Sequence, residues 1–100
     1  MVKRLIWSNE AKDCRQKIFE FWNQQTGSKV YSRKLNTLFN EAAKLISNFP
    51  KIGRISDFEN VRVKNMKQYQ LFYRETESQI QILLVWDTRR DPDELNKILK

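Results

Sequence analysis

The feature that most constrains this chain is a change in the spacing of its apolar residues, from a helical period to a period of two, across Phe49-Pro50-Lys51-Ile52-Gly53-Arg54. Before that point Ala11, Cys14, Ile18 and Phe21/Trp22 recur three to four residues apart, as do Val30/Tyr31, Leu35, Leu38/Phe39, Ala42 and Leu45/Ile46. Such spacing lines each set along one stripe of a helix. Ser8 is a good N-cap for the first helix, Glu10 sits in its first turn where the helix dipole favours an acid, and Thr26-Gly27 ends it. Ser28 can cap the second, which runs to about Asn48. So short a link makes the two helices an antiparallel hairpin. Pro50 then disfavours helix at Phe49, and Gly53 permits a turn.

From Asn60 onward Val61 and Val63 alternate with Arg62 and Lys64, and Tyr69, Leu71 and Tyr73 alternate with Gln70, Phe72 and Arg74. Both are half-buried strands. After the polar turn Glu75-Thr76-Glu77-Ser78, Ile80, Ile82, Leu84 and Trp86 are expected on one side of a third strand, with Gln79, Gln81, Leu83 and Val85 on the other. Its apolar second half suits a central strand. Residues 2–7, VKRLIW, form a short first strand free to join the sheet edge. Asp91-Pro92-Asp93-Glu94 joins an N-cap, a proline at the first helical position and an early acid, so ELNKILK closes the chain as a short helix. Segregated helices and strands make the fold α+β: an N-terminal strand, a helical hairpin on a small antiparallel sheet, and a helical tail. Residues 1–100 are expected to form one domain, since a chain of 100 residues has no room for a second.

Several chemistries are disfavoured by composition. The chain has one cysteine, Cys14, and no histidine, so it lacks the usual ligands of a zinc site and the commonest general base. No metal and no cofactor are expected. No stretch approaches the roughly 20 apolar residues of a membrane helix, and no glycine-rich phosphate loop or nucleophile elbow occurs. The expectation is a soluble, cytoplasmic protein without a membrane partner. Nineteen Lys and Arg against twelve Asp and Glu give +7, a field that attracts polyanions and acidic proteins.

If the strands pair in simple meander order, Arg62, Lys64, Gln70, Phe72, Arg74, Gln79 and Gln81 share the face opposite the apolar residues. Arg89 and Arg90 extend that basic face, and Lys67 lies in the tight connection before Tyr69. A surface of this kind suits a phosphate backbone, with Phe72 as a stacking plane for a base. The acids Glu75 and Glu77 lie in a turn and read as solubilising charge.

The ordered set W-S-N-E-A, F-P-K-I-G-R, V-R-V, Y-Q-L-F-Y-R and I-L-L-V-W-D-T-R-R-D-P resembles the RelE/ParE toxin superfamily over nearly the whole chain. The resemblance implies the toxin of a bacterial type II toxin-antitoxin, or plasmid stabilisation, system that inhibits growth. It also implies a cognate antitoxin as partner in a hetero-oligomer. Two mechanisms come with the superfamily. RelE-type members cut messenger RNA on the ribosome, which would make Arg62, Lys64, Arg89 and Arg90 catalytic, whereas ParE-type members bind DNA gyrase. Gln70 stands where the RelE pattern has arginine, Asp91 to Leu95 offer no terminal tyrosine, and no histidine stands near Asp87. A ParE-like toxin that binds its target through Arg62, Lys64, Phe72, Arg74, Arg89 and Arg90 is therefore the expectation. The ribosome-dependent endoribonuclease is the alternative, which leaves open whether the chain is an enzyme. A non-toxic antitoxin-binding module is the third.

Overall fold

The computed structural model describes residues 3–99, so Met1, Val2 of the expected first strand and Lys100 of the expected last helix lie outside the described residues. The elements run β1 (Arg4–Trp7), α1 (Asn9–Thr26), α2 (Val30–Asn48), β2 (Arg54–Ile55), β3 (Arg62–Met66), β4 (Tyr69–Glu75), β5 (Gln79–Asp87) and α3 (Pro92–Leu99). They build the expected α+β architecture, with one strand more than the apolar spacing shows. The sheet order is β1-β5-β4-β3-β2, antiparallel except that β1 runs parallel to β5. Neither helix of the hairpin is long and apolar enough to cross a membrane, nor is any other helix among the described residues.

The helix ends follow local chemistry. The Ser8 hydroxyl accepts from the Ala11 amide at 3.0 Å, and Gly27 closes α1 in the left-handed region at φ 69°. α2 departs from expectation by one residue: Lys29 occupies its N-cap without a side-chain bond, while the Ser28 hydroxyl accepts from Val30 N at 3.1 Å. At α3, Asp91 caps as expected, its carboxylate accepting from Asp93 N at 3.0 Å.

Two features of the sheet decide what faces what. Strands β3 and β4 are joined through Lys67 and Gln68 alone, so Met66 pairs with Tyr69, Lys64 with Leu71, Val63 with Phe72 and Arg62 with Tyr73. Paired residues point to the same side. Arg62, Lys64 and Met66 thus share the side of Tyr69, Leu71 and Tyr73, and Val63 shares that of Phe72. In β5, Phe72 pairs with Leu84 but Tyr73 with Ile82, so Leu83 is an extra residue, a β-bulge. Beyond it the alternation inverts. Ile80 and Ile82 face the hairpin, but Leu84 and Trp86 face the other side, contrary to the single apolar side expected for all four.

The result is a core on each face of the sheet. On the hairpin side Ala11, Leu35, Phe39, Ile46, Tyr69, Leu71, Tyr73, Ile80, Ile82 and Val85 pack together. On the other, Val61, Val63, Phe72, Leu84 and Trp86 are covered by Phe58 and by Leu95 and Leu99, which bracket α3 residues along one side. Ser8 ties the bulge to α1, because its hydroxyl also donates to Leu83 O at 2.9 Å.

Candidate functional site

The expected basic face does not form as one surface. Arg62 and Lys64 lie on the hairpin side of the sheet, whereas Gln70, Phe72, Arg74, Gln79 and Gln81 lie on the other. The two-residue turn at Lys67-Gln68 sets this: it pairs odd-numbered residues of one strand with even-numbered residues of the next, and matched alternation would need a loop one residue longer or shorter. Phe72 offers no stacking plane either. It is 3% exposed, with its ring edge-on to Phe58 at 6.2 Å.

Each expected cation has a partner or a place of its own. Arg62 Nη1 donates to Gly53 O at 2.8 Å and so holds the segment before β2. Lys64 makes one long contact, 3.4 Å to Asn65 O. Arg74 lines a shallow depression with Asp57, Phe58, Glu59 and Asn96 beside the end of α3. Arg89 forks onto Asp87, Nε to Oδ1 at 3.1 Å and Nη2 to Oδ2 at 2.7 Å, and this donation holds the Asp87 carboxyl below its ordinary value. Arg90 lies over the Trp86 ring at 4.4 Å and bonds Glu94 at 2.6 Å.

Arg89 and Arg90 do come together with part of the apolar stripe of α1. They rim a cleft of about 400 Å³ between α1, the end of β5 and α3. Its wall carries Cys14, Ile18, Phe21, Leu84, Val85 and Ile98, and its rim Glu10, Asp13, Lys17 and Asp87. Phe21 and Ile98 remain about two-fifths exposed, so the cleft has an apolar floor that water reaches. Tyr69 closes one end, its hydroxyl accepting from Trp22 Nε1 at 2.8 Å, and Phe21, Trp22 and Tyr31 follow edge to face. Burial raises the Tyr69 phenol and the Cys14 thiol above their ordinary values, which favours the protonated form of both.

The cleft is not among the expectations from the sequence, although two signals could have pointed to it. The adjacent pair Phe21/Trp22 makes the apolar stripe of α1 wider than packing on one neighbour requires, and Asp87 two residues before Arg89 marks an ion pair at a strand end. Arg15 gave no such signal. Its half-buried guanidinium stacks on Trp7 at 4.3 Å between α1 and α2 and bonds Asn36 and Asn40, a packing role in the hairpin.

Comparison with solved structures places the fold beside one described as a chromosomal ParDE TA system from P. aeruginosa, with a TM-score of 0.76 and 20% sequence identity over 84% of this chain and 94% of that one. Comparison with curated protein sequences finds no match. The family model described as ParE toxin of type II toxin-antitoxin system, parDE, matches residues 5–92, from the second residue of β1 to the first residue of α3. With the strand, hairpin, sheet and terminal arginines all inside that span, the chain belongs to the ParE toxin family of type II toxin-antitoxin systems.

Proposed function

We propose that this toxin arrests growth in the cytoplasm by binding a protein target, DNA gyrase, through the cleft rimmed by Arg89 and Arg90, and that a cognate antitoxin neutralises it. The observation that carries this reading is the separation of its cations. Cutting RNA by attack of a 2′-hydroxyl calls for a base, an acid and cations converging on one phosphate. Arg62 pairs with Tyr73, and Tyr73 lies four residues along β4 from Tyr69, the partner of Asp87, so Arg62 and the 87–90 turn stand about 13 Å apart along the strand. Arg62 is also committed to Gly53, and Arg89 to Asp87. An apolar floor inside a rim of both charges suits a protein surface better than a phosphate backbone.

Arg89 and Arg90 keep the role of target contacts in this reading, with Lys17 and Phe21 added. Lys64 and Arg74 lie outside the cleft, and Arg62 supports a loop. Inducible expression in bacteria, with and without the antitoxin, tests the proposal. Growth arrest that the antitoxin reverses, intact messenger RNA and a Phe21→Asp variant without toxicity are the expected outcomes. A toxic Phe21→Asp variant beside a harmless Arg62→Ala/Lys64→Ala variant would move the site to the other end of the sheet.

A further inference from the structure

The segment between α2 and β3 displays apolar side chains while being held from beneath. Phe49, Ile52 and Ile55 are 61%, 43% and 76% exposed. Exposure of this kind usually goes with a loose loop, yet this one is anchored. Ile52 N donates to Phe49 O at 3.0 Å across a turn with Pro50 at its second position, where the fixed φ of proline fits. The buried Tyr73 hydroxyl accepts from Gly53 N at 2.9 Å and donates to Pro50 O at 2.7 Å, and Arg62 takes the Gly53 carbonyl. A Cβ on Gly53 would lie 2.6 Å from Tyr73 Oη and 2.8 Å from Val63 O, so the backbone sits directly on the tyrosine.

The anchored segment ends in an open sheet edge. β2 is the last strand of the sheet, and both of its residues are exposed. Ser56 N donates to Val61 O, and antiparallel ladders alternate, so Arg54 turns its backbone groups toward β3 and Ile55 turns its N–H and C=O outward. Its side chains split likewise: Ile55 shares the hairpin side with Arg62, and Arg54 shares the opposite side with Val63. Lys51 and Arg54 flank the apolar residues and enter no ion pair among the described residues. Glu75, which lines a depression with Lys51 and Ile55, bonds Lys3 at 2.9 Å, and Asp57 and Glu59 line the separate depression with Arg74 near α3.

We infer that this edge is a preformed docking site for an extended segment of another protein, alternating apolar and acidic residues, which adds a strand beside β2. An apolar residue of that segment covers Ile55 and Ile52 on the hairpin side, and an acidic neighbour meets Arg54 on the other. Backbone bonds to Ile55 supply affinity and the alternation supplies register. The rigid anchor spares the ordering cost that a loose loop would carry. A second copy of the chain is a poor occupant, since each copy carries +7 and pairing would bring Lys51 and Arg54 of both copies to one seam. On the reading above, which the inference needs only for the partner's identity, the segment belongs to the antitoxin.

Backbone hydrogen exchange on the unaltered toxin, free and bound to its antitoxin, tests this directly. The Ile55 amide should become strongly protected in the complex. An Ile52→Glu/Ile55→Glu variant, with folding checked by its thermal melt, should bind roughly thirtyfold or more weakly, and Arg54→Glu about two- to fivefold more weakly. A complex of undiminished affinity with Ile55 still exchanging freely would overturn the docking site and leave the antitoxin partnership standing. Wild-type toxin that binds no antitoxin would overturn both. A dimer of the free protein that the double variant dissolves would replace the partner segment by a second copy.

Discussion

The segment from Phe49 to Ile55 and the turn from Asp87 to Asp91 both leave the sheet, and they are held by opposite means. The first is fastened from inside: Tyr73 and Arg62 reach its backbone at three atoms, in surroundings where Gly53 is buried. The second is fastened from outside, by Arg89 on Asp87 and Arg90 on Glu94, with those arginine side chains 57% and 47% exposed. Buried hydrogen bonds resist salt and cost the fold heavily when one partner is removed, whereas exposed ion pairs are weak and screened. The first segment is therefore a fixed surface and the second an adjustable one, which suits an edge awaiting a strand and a rim that closes on a target.

The contrast can be broken at its strongest point first. Gly53→Ala forces a methyl group against Tyr73 and the Val63 carbonyl, and should cost about 3 kcal/mol in denaturant unfolding. Tyr73→Phe strands the Gly53 amide and the Pro50 carbonyl and should cost about 2 kcal/mol. Burial raises the Tyr73 phenol above its ordinary value, so its neutral form is favoured in the fold. That stabilisation is complete below the unfolded value and lost as pH rises from there through the folded one. Tyr73→Phe should flatten part of the alkaline fall in stability, leaving the part due to Tyr69, whose shift has the same sign.

Ser8→Ala should follow at about 1.5 kcal/mol, because it removes both the cap of α1 and the donor to the bulged Leu83 carbonyl. Arg89→Ala should change stability least of all. Its signature is in acid: the Asp87 carboxyl, lowered mainly by the Arg89 side chain, adds stability above its unfolded value that is lost as pH falls through the folded one. The variant should lose that acid dependence and its salt sensitivity, both read from melts across pH and ionic strength.

The parts of the fold that were legible in the sequence are those set locally. Helical spacing, the caps Ser8, Gly27 and Asp91, and the strand alternation each depend on a few neighbouring residues. What was hidden depends on parity and on distant partners. The length of the Lys67-Gln68 turn, with Lys67 at φ 55°, decides which side Arg62 and Lys64 take. No apolar spacing announces it. The bulge at Leu83 has the same character: Ile80, Ile82, Leu84 and Trp86 alternate without a break in the sequence, and only pairing with β4, and the Ser8 hydroxyl on the Leu83 carbonyl, divide them between two cores. β2 is two residues long and has no alternation to read. The cleft was obscured because Cys14, Ile18 and Phe21 look like any core stripe until α3 is placed beside them.

The most direct measurement is a supercoiling assay of DNA gyrase with the purified toxin, run beside ribosome-dependent messenger RNA cleavage. Supercoiling is expected to fall with added toxin and to recover with Phe21→Asp or with antitoxin, while messenger RNA stays whole. Unimpaired supercoiling together with cuts inside translated codons would contradict the proposal and return Arg62, Lys64, Arg89 and Arg90 to a catalytic role.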